Sequence, residues 1–358
     1  PLPGAAWESI ERLQETVPFG AFVRAVHHWS ANLLVVAAFL HLLRVFFTWA
    51  FTGPRQFNWI IGLGLFFFVL ASNLTGYLLP WDQRAFWAVT ICTSLLGYIP
   101  LAGPWLQELL RGGTEVGPAA LLNFTVLHTT FLPLGLLLLL PFHFWRIRKA
   151  GGLVVPKAAA EILERKGGYV TTIPHLVVRE GVTALVLIAA VFLFSALVSA
   201  PLGAPANPGM SPNPAKAPWY FLGLQELLMH FHPLFAVFVI PLVLTAALLI
   251  LPYLGLSEEP AGVWFVSAKG RRIARHAATA ALLLTPLWIV IDSMVSASGG
   301  SELPSWVSGG VVPFALLAGF LGAWYLAMRV KGGASRSEAV QGVFVFLVVA
   351  FIVLTAVG

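Results

Sequence analysis

The stretch RAVHHWSANLLVVAAFLHLLRVF, residues 24–46, decides the fold. Its length and apolar content match a helix crossing a bilayer, which takes about 20 apolar residues. Yet it contains His27, His28 and His41, with Arg24 one turn before the first and Arg44 one turn after the last. Ionisable side chains are costly in hydrocarbon and, where they occur, serve a purpose. A helix turns about 100° per residue, so 14 residues carry His41 back to within ~40° of the His27 face, about 21 Å along the axis. His28 to His41 is 13 residues and leaves those two ~140° apart. His27 and His41 therefore share a face at two depths, and His28 points elsewhere.

The pattern recurs further along the chain. His128 and His143 are 15 residues apart, within ~60° of one face and ~22 Å along the axis. Pro133 and Pro141 lie in the same run, where a kink can correct the residual angle.

The chain around these segments is that of a polytopic membrane protein. It has 358 residues, 58% hydrophobic and 10% charged, against about 25% charged in a soluble domain. Its mean hydropathy is +0.86. The apolar runs are continuous, unlike the alternation of a lipid-embedded barrel, so the expected fold is an all-α transmembrane bundle. Eight spans are expected near 24–47, 58–80, 121–146, 176–200, 232–254, 275–295, 311–330 and 339–357.

The loops 44–57, 146–179, 255–275 and 329–338 hold sixteen of the 21 Lys and Arg residues. The positive-inside rule makes them cytoplasmic, the n side. All eight spans fit that alternation, so the spans carrying the two histidine pairs run in the same direction. His27 then faces His128 near the p side, and His41 faces His143 nearer the n side. The net charge of +6 sits in loops between spans, which argues against nucleic acid as a partner. One cysteine, Cys92, excludes an intrachain disulfide framework and a Cys-rich metal site and reads as a small apolar filler. No secretory signal is visible.

Two stacked histidine pairs on parallel helices suit haem. Imidazole is a normal axial ligand of haem iron, and a six-coordinate bis-His iron favours electron transfer over oxygen chemistry. One zinc ion cannot bridge ligands ~21 Å apart. Arg24 and Arg44 are placed to pair with haem propionates at the two faces, although snorkelling at span ends gives the same positions. Gly62 and Gly76 repeat the 14-residue interval in the second span, where a missing side chain lets a flat macrocycle, or simply another helix, approach.

Segments 5–20 and 82–118 read as a p-side surface helix and a long p-side connection. Segment 201–218, PLGAPANPGMSPNPAKAP, is too rich in Pro and Gly for a helix, and loops of that length are often functional. The expected organisation is a p-side amphipathic segment (1–23), a di-haem transmembrane domain (24–150) and an n-side linker (151–175). A second transmembrane domain with a p-side loop (176–295) and two further spans (296–358) complete it.

The opening stretch, together with GYLLPWDQRAFWAVTICTSLLGYIPLAG, ELLRGGTEVG, LHTTFLPLGLLLLLPFHFWRIRKAG and APWYFLGLQELL, resembles cytochrome b of the Rieske/cytochrome b complexes. The spacing of His128 and His143 and the PWDQ motif are similar to the plastid and cyanobacterial branch, with both parts of that split protein on one chain. The resemblance covers about residues 5–295. It implies two haem b groups, held by His27 with His128 and by His41 with His143. It also implies a p-side quinol-oxidation site at Tyr77, Phe86, Ala88, Pro218, Trp219 and Tyr220, and an n-side quinone site near Arg148. The partners it implies are a Rieske iron–sulfur protein, cytochrome c or another electron acceptor, the lipid of a bacterial cytoplasmic membrane, and a second copy of the complex. Electrons would pass from p-side quinol through both haems to n-side quinone, with proton translocation.

Three departures qualify the likeness. The chain opens on Pro1, where the family has already completed a first span. That span is expected on a preceding segment or another chain, along with any further haem attached covalently through a cysteine there. The family's Pro-Glu-Trp-Tyr reads Ala-Pro-Trp-Tyr at 217–220, so Pro218 stands at the glutamate position. Glu226 is the nearest replacement, followed by His230 and His232, and the change points to a quinol such as menaquinol. The last span looks like an addition, a docking surface for an extra subunit. Asp82 and Arg84 are candidates for proton exit, or charges of a surface loop. The rival readings are a di-haem membrane anchor of a quinone-linked dehydrogenase or reductase, and a haem-free proton-coupled transporter.

Overall fold

The computed structural model describes residues 3–156, 171–213, 215–256, 261–297 and 302–358. Lys157, Arg165 and Lys166, assigned to the n side by charge, lie outside them, as does most of the 151–175 linker. Among the described residues, eight helices are long and apolar enough to span a membrane, and no strand forms beyond an isolated Asp82–Pro205 bridge. The chain is an integral membrane protein built from helices, as expected.

A surface helix, α1 (Pro3–Glu15), leads into α2 (Gly20–Phe47) and α3 (Gln56–Leu78). Two short helices follow, α4 (Gln83–Leu96) and α5 (Gly103–Arg111). The span α6 (Pro118–Lys149) completes the histidine-bearing half, and α7 (Thr172–Leu197) packs on α2 through the Phe22–Phe192 and Trp29–Phe194 ring contacts. The second half comprises the short α8 (Leu222–His230) and the spans α9 (Phe235–Tyr253), α10 (Ala268–Ala297), α11 (Val307–Val330) and α12 (Arg336–Val357).

Three π turns occur among the described residues, at Leu127–Phe131, Val239 and the four residues before it, and Val307–Val311. Each ends two residues before a proline, namely Pro133, Pro241 and Pro313. A proline in a helix removes one hydrogen bond and pushes away the carbonyl four residues earlier, and a widened turn accommodates both. The first of these turns contains His128. It absorbs about one residue, so the 15-residue interval to His143 behaves like the 14-residue interval between His27 and His41. The kink expected from the two prolines thus takes the form of a π turn at the histidine itself.

The two halves join at the turn after α2. Phe46, Phe47, Trp49, Phe51 and Trp59 are buried there against Ala274, Ala277 and Ala281 of α10 and Val345 and Phe346 of α12. The three alanines lie on one face at intervals of three and four, which lets α12 approach closely. Trp49 holds a left-handed backbone (φ 57°), which costs roughly 1–2 kcal/mol, and its side chain is buried in this cluster. Trp59 Nε1 donates to the Leu248 carbonyl at 2.7 Å and Gln56 Nε2 to the Pro252 carbonyl at 2.8 Å, tying α3 to α9.

Gln341 of α12, only 1% exposed, donates its amide to the carbonyls of Phe46 and Phe47, both at 3.1 Å. These are end-of-helix carbonyls that have no partner within α2. A capping box of Ser335 and Glu338 starts α12, and the same carboxylate accepts from the Ser267 hydroxyl. The last span is therefore an integral part of the packing of both halves. Replacing Gln341 by Leu removes the second donor from two buried carbonyls, which keep the Trp49 and Phe265 N–H groups, at roughly 0.5–1.5 kcal/mol for each bond. The expected outcome is a lower thermal midpoint of the detergent-solubilised protein with its haem content unchanged at low temperature; an unchanged midpoint contradicts the capping role.

Candidate functional site: two stacked histidine pairs and a p-side aromatic wall

His27 and His128 meet with ring centroids 6.1 Å apart and planes at 85°, and His41 and His143 with centroids 6.5 Å apart at 81°. No hydrogen bond joins the rings of either pair. An atom coordinated by both imidazoles of a pair needs centroids about 6 Å apart, from roughly 2 Å per metal–nitrogen bond and roughly 1 Å from nitrogen to ring centre. The spacing thus fits a bis-imidazole metal in both pairs. His28 instead meets the neighbouring Trp29 ring at 4.8 Å. The alignment of both pairs also requires α2 and α6 to run in parallel.

α3 packs against both histidine helices and sets the His128 ring. His128 Nδ1 lies 3.0 Å from the Ser72 carbonyl and 3.2 Å from the Thr75 hydroxyl. Donation from Nδ1 to the carbonyl leaves Nε2 with its lone pair free, the state a metal ligand needs. A Cβ on Gly76 would lie 2.5 Å from His128 Cε1, and one on Gly62 would lie 3.4 Å from His143 Cε1. What crowds both glycines is an imidazole. Gly76 is a strict requirement for the His128 position, whereas at Gly62 an added methyl makes ordinary contact.

The four histidines, the two glycines and the donor chemistry fit haem b. The arginines are placed differently from each other. Arg24 donates to Gln14 Oε1 (2.8 Å) and to the carbonyls of Ala200 (2.9 Å) and Pro201 (2.7 Å). Arg44 and Arg148 are exposed at the opposite face.

On the p side, the Pro-rich loop after α7 is pinned along its length. Trp29 Nε1 donates to the Val198 carbonyl and Trp7 Nε1 to that of Gly203. The PWDQ motif makes a further set of bonds. Asp82 caps α4 by accepting from Ala85 N–H (2.8 Å) and also accepts from Gly203 N–H (2.7 Å). Gln83 accepts from Asn207 N–H (2.6 Å), and its backbone N–H donates to the Ala204 carbonyl. Asp82 thus has a specific structural role beyond that of a surface-loop charge.

The loop delivers Trp219 and Tyr220 to the membrane face, where Trp219 Nε1 donates to Asn32 Oδ1 of α2 at 2.6 Å. Phe86 and Ala88 are buried on α4, Phe86 among Leu78, Trp81, Val89, Leu121 and Phe124. Burial raises the Tyr220 phenol above its ordinary value, and Tyr77 and Cys92 beside it raise it further. Tyr77, Cys92 and Tyr220 therefore lie together between α3, α4 and the Ala-Pro-Trp-Tyr segment. Burial pushes the Cys92 thiol up to about 11, so it is protonated at neutral pH and unreactive, consistent with a filler. Pro218 starts the turn and offers no acid. Glu226 instead bonds His230 on its own helix. Arg111 is buried and bonded to Thr93, Ser94 and the carbonyls of Thr90 and Thr114, fixing α5 against α4; sequence reading did not single it out.

Parallel membrane helices that present paired imidazoles at two depths offer ligands of the kind haem iron takes. The model of the cytochrome b/b6/petB family matches residues 3–151. The menaquinol:cytochrome c reductase cytochrome b subunit of Geobacillus thermodenitrificans is 46% identical over 147 residues, 41% of this chain and 66% of that protein. Cytochrome b6 of Synechococcus sp. (strain CC9605) is 41% identical over 151 residues, 42% of this chain and 69% of that one, and cytochrome b6 of Heliomicrobium gestii is 40% identical, with 71% of it covered. The chain thus spans about two thirds of these relatives. A solved structure titled hyperthermophilic respiratory Complex III superposes with a TM-score of 0.66 at 21% identity, over 100% of this chain and 84% of that one, so the fold is shared along the whole chain. The chain belongs to the cytochrome b/b6 family, which binds haem b. Gly76→Ala is expected to displace His128 and lower bound haem b, with Gly62→Ala close to wild type; equal haem loss in both variants contradicts the difference between the two contacts.

Proposed function

We propose that this chain is the cytochrome b subunit of a quinol-oxidising Rieske/cytochrome b complex in a bacterial cytoplasmic membrane. The observation that carries the reading is the pair of histidine pairs, at 6.1 and 6.5 Å, stacked across the bilayer on parallel helices. His27 and His128 would hold a p-side haem b, and His41 and His143 an n-side one. When bound, haem b supplies one-electron chemistry that lets a quinol oxidised at one face hand electrons across the membrane. The protein's part is ligation, burial and orientation. α3 holds His128 by its Nδ1, Gly76 makes room for it, and Arg24 and Arg44 stand at opposite ends of α2 where propionates would emerge.

The quinol pocket would lie on the p side between Tyr77, Phe86, Ala88, Pro218, Trp219 and Tyr220, a largely apolar and aromatic wall suited to a flat ring. Its substrate would be menaquinol. Supporting this are the missing glutamate at Pro218 and the relative named as a menaquinol:cytochrome c reductase subunit. Glu226 would take part in accepting protons, and Arg148 would serve an n-side quinone. A Rieske protein, a cytochrome c and a second copy of the complex would be its partners, and turnover would move protons to the p side.

In the purified complex, His41→Leu is expected to remove the n-side haem from the reduced-minus-oxidised difference spectrum and leave the p-side one, while His28→Leu leaves both. Loss of a haem from the His28 variant, or none from the His41 variant, overturns the assignment.

A further inference from the structure

His230 sits between two carboxylates at the p-side end of the second half. Its Nδ1 is 2.8 Å from Asp292 Oδ2 of α10, and its Nε2 is 3.3 Å from Glu226 Oε1 of α8. The imidazole is 8% exposed, Glu226 16% and Asp292 25%, so the array is closed in the middle and opens at its ends. Acids are rare inside membrane helices and, where buried, mark proton or ion paths. Asp292 lies within the apolar span Ala268–Val295, where a merely adhesive contact is made more cheaply by apolar groups.

The arrangement requires an exchangeable proton. A neutral imidazole has one N–H and one lone pair. With both carboxylates ionised, the unprotonated ring nitrogen would face a carboxylate oxygen, lone pair to lone pair. The geometry is satisfied only when the trio binds one proton more, as imidazolium or as a carboxylic acid. Among the described residues, the groups packed around it do not take over that role. α12 presents Phe351, Thr355 and the backbone of Gly358 towards α8. Lys216 is the nearby cation, and its ammonium donates to the Gly358 carbonyl. His232, two residues on, accepts from Leu234 N–H and meets the Tyr98 ring, outside the array.

Glu226 is six residues beyond Tyr220, about 9 Å along a helix and about a third of a turn round it, on the face turned to His230 and α12. We propose that Glu226, His230 and Asp292 form a proton relay that takes protons from the quinol pocket to the p-side surface, with His230 as the central carrier and Asp292 as the outlet. The two imidazole nitrogens suit this: a proton taken up at Nε2 leaves a proton free to depart from Nδ1, and a ring flip or the reverse exchange resets the carrier. The relay stands in for the carboxylate that Pro218 does not supply, and it rests on the quinol-oxidation reading above.

The test uses the intact complex with a short-chain naphthoquinol as donor, following p-side haem reduction with pH. Glu226→Gln and Asp292→Asn are each expected to slow quinol oxidation at least about tenfold and to move the inflection of the rate–pH profile, with haem content and dithionite reducibility as in wild type. Wild-type rate and profile in either variant overturn the relay while leaving the quinol reading standing. A slowed rate with an unmoved profile reduces the trio to a clamp between α8 and α10 and also overturns it. If a substitution strips the haems, the other variant, which removes the opposite carboxylate, is read in the same way. Wild-type complex that does not oxidise the quinol overturns the functional reading itself, and the relay with it.

Discussion

The constraint on which the structure depends is the imidazole lone pair inside a bilayer. Four histidines face a space between two parallel apolar helices, and each needs a partner that neither lipid nor the opposite ring supplies. Everything in the first half serves that requirement. α3 packs against both histidine helices and fixes the His128 tautomer through the Ser72 carbonyl. Gly76 gives the ring its room, and the π turn before Pro133 brings a 15-residue interval into phase with a 14-residue one.

The second half contributes by holding ends in place. The aromatic turn after α2 is buried by α10 and α12, and Gln341 adds a second donor to the last two carbonyls of α2. On the other face, the Pro-rich loop is bonded by α1, α2 and the PWDQ turn before it presents Trp219 and Tyr220. Proline suits such a loop because its restricted backbone lowers the entropy lost on ordering, and the few donors it retains are matched to Asp82, Gln83 and the indoles. The loop is thus fixed at several points along its length by hydrogen bonds from α1, α2 and the PWDQ turn.

How much was legible in the sequence follows from the range of each interaction. Helical periodicity is local, so the spans, the shared face of His27 and His41 and the separate direction of His28 could all be read from spacing. The direction of the spans came from loop charge. Pro133 and Pro141 signalled a distortion in α6, but whether a proline makes a kink or a π turn depends on how neighbouring carbonyls are satisfied. Contacts between distant segments left no mark. Gln341 capping α2 is a pairing across nearly 300 residues, and nothing local separates it from a polar residue at a span end. Asp82 read as a proton-exit candidate or a surface-loop charge, with no sign of its partner, the Gly203 N–H, which is 121 residues away. Glu226 and His230 were visible as neighbours, but Asp292, 62 residues on from His230, completes the set only in three dimensions.

The central claim is that each pair of histidines holds one haem b. Haem quantification per chain on the purified protein, combined with a redox titration of its difference spectrum, tests it most directly. The account predicts two haem b groups per chain, both low-spin and six-coordinate, titrating as two components. One haem or none per chain, or a high-spin centre with an open axial position, would contradict it.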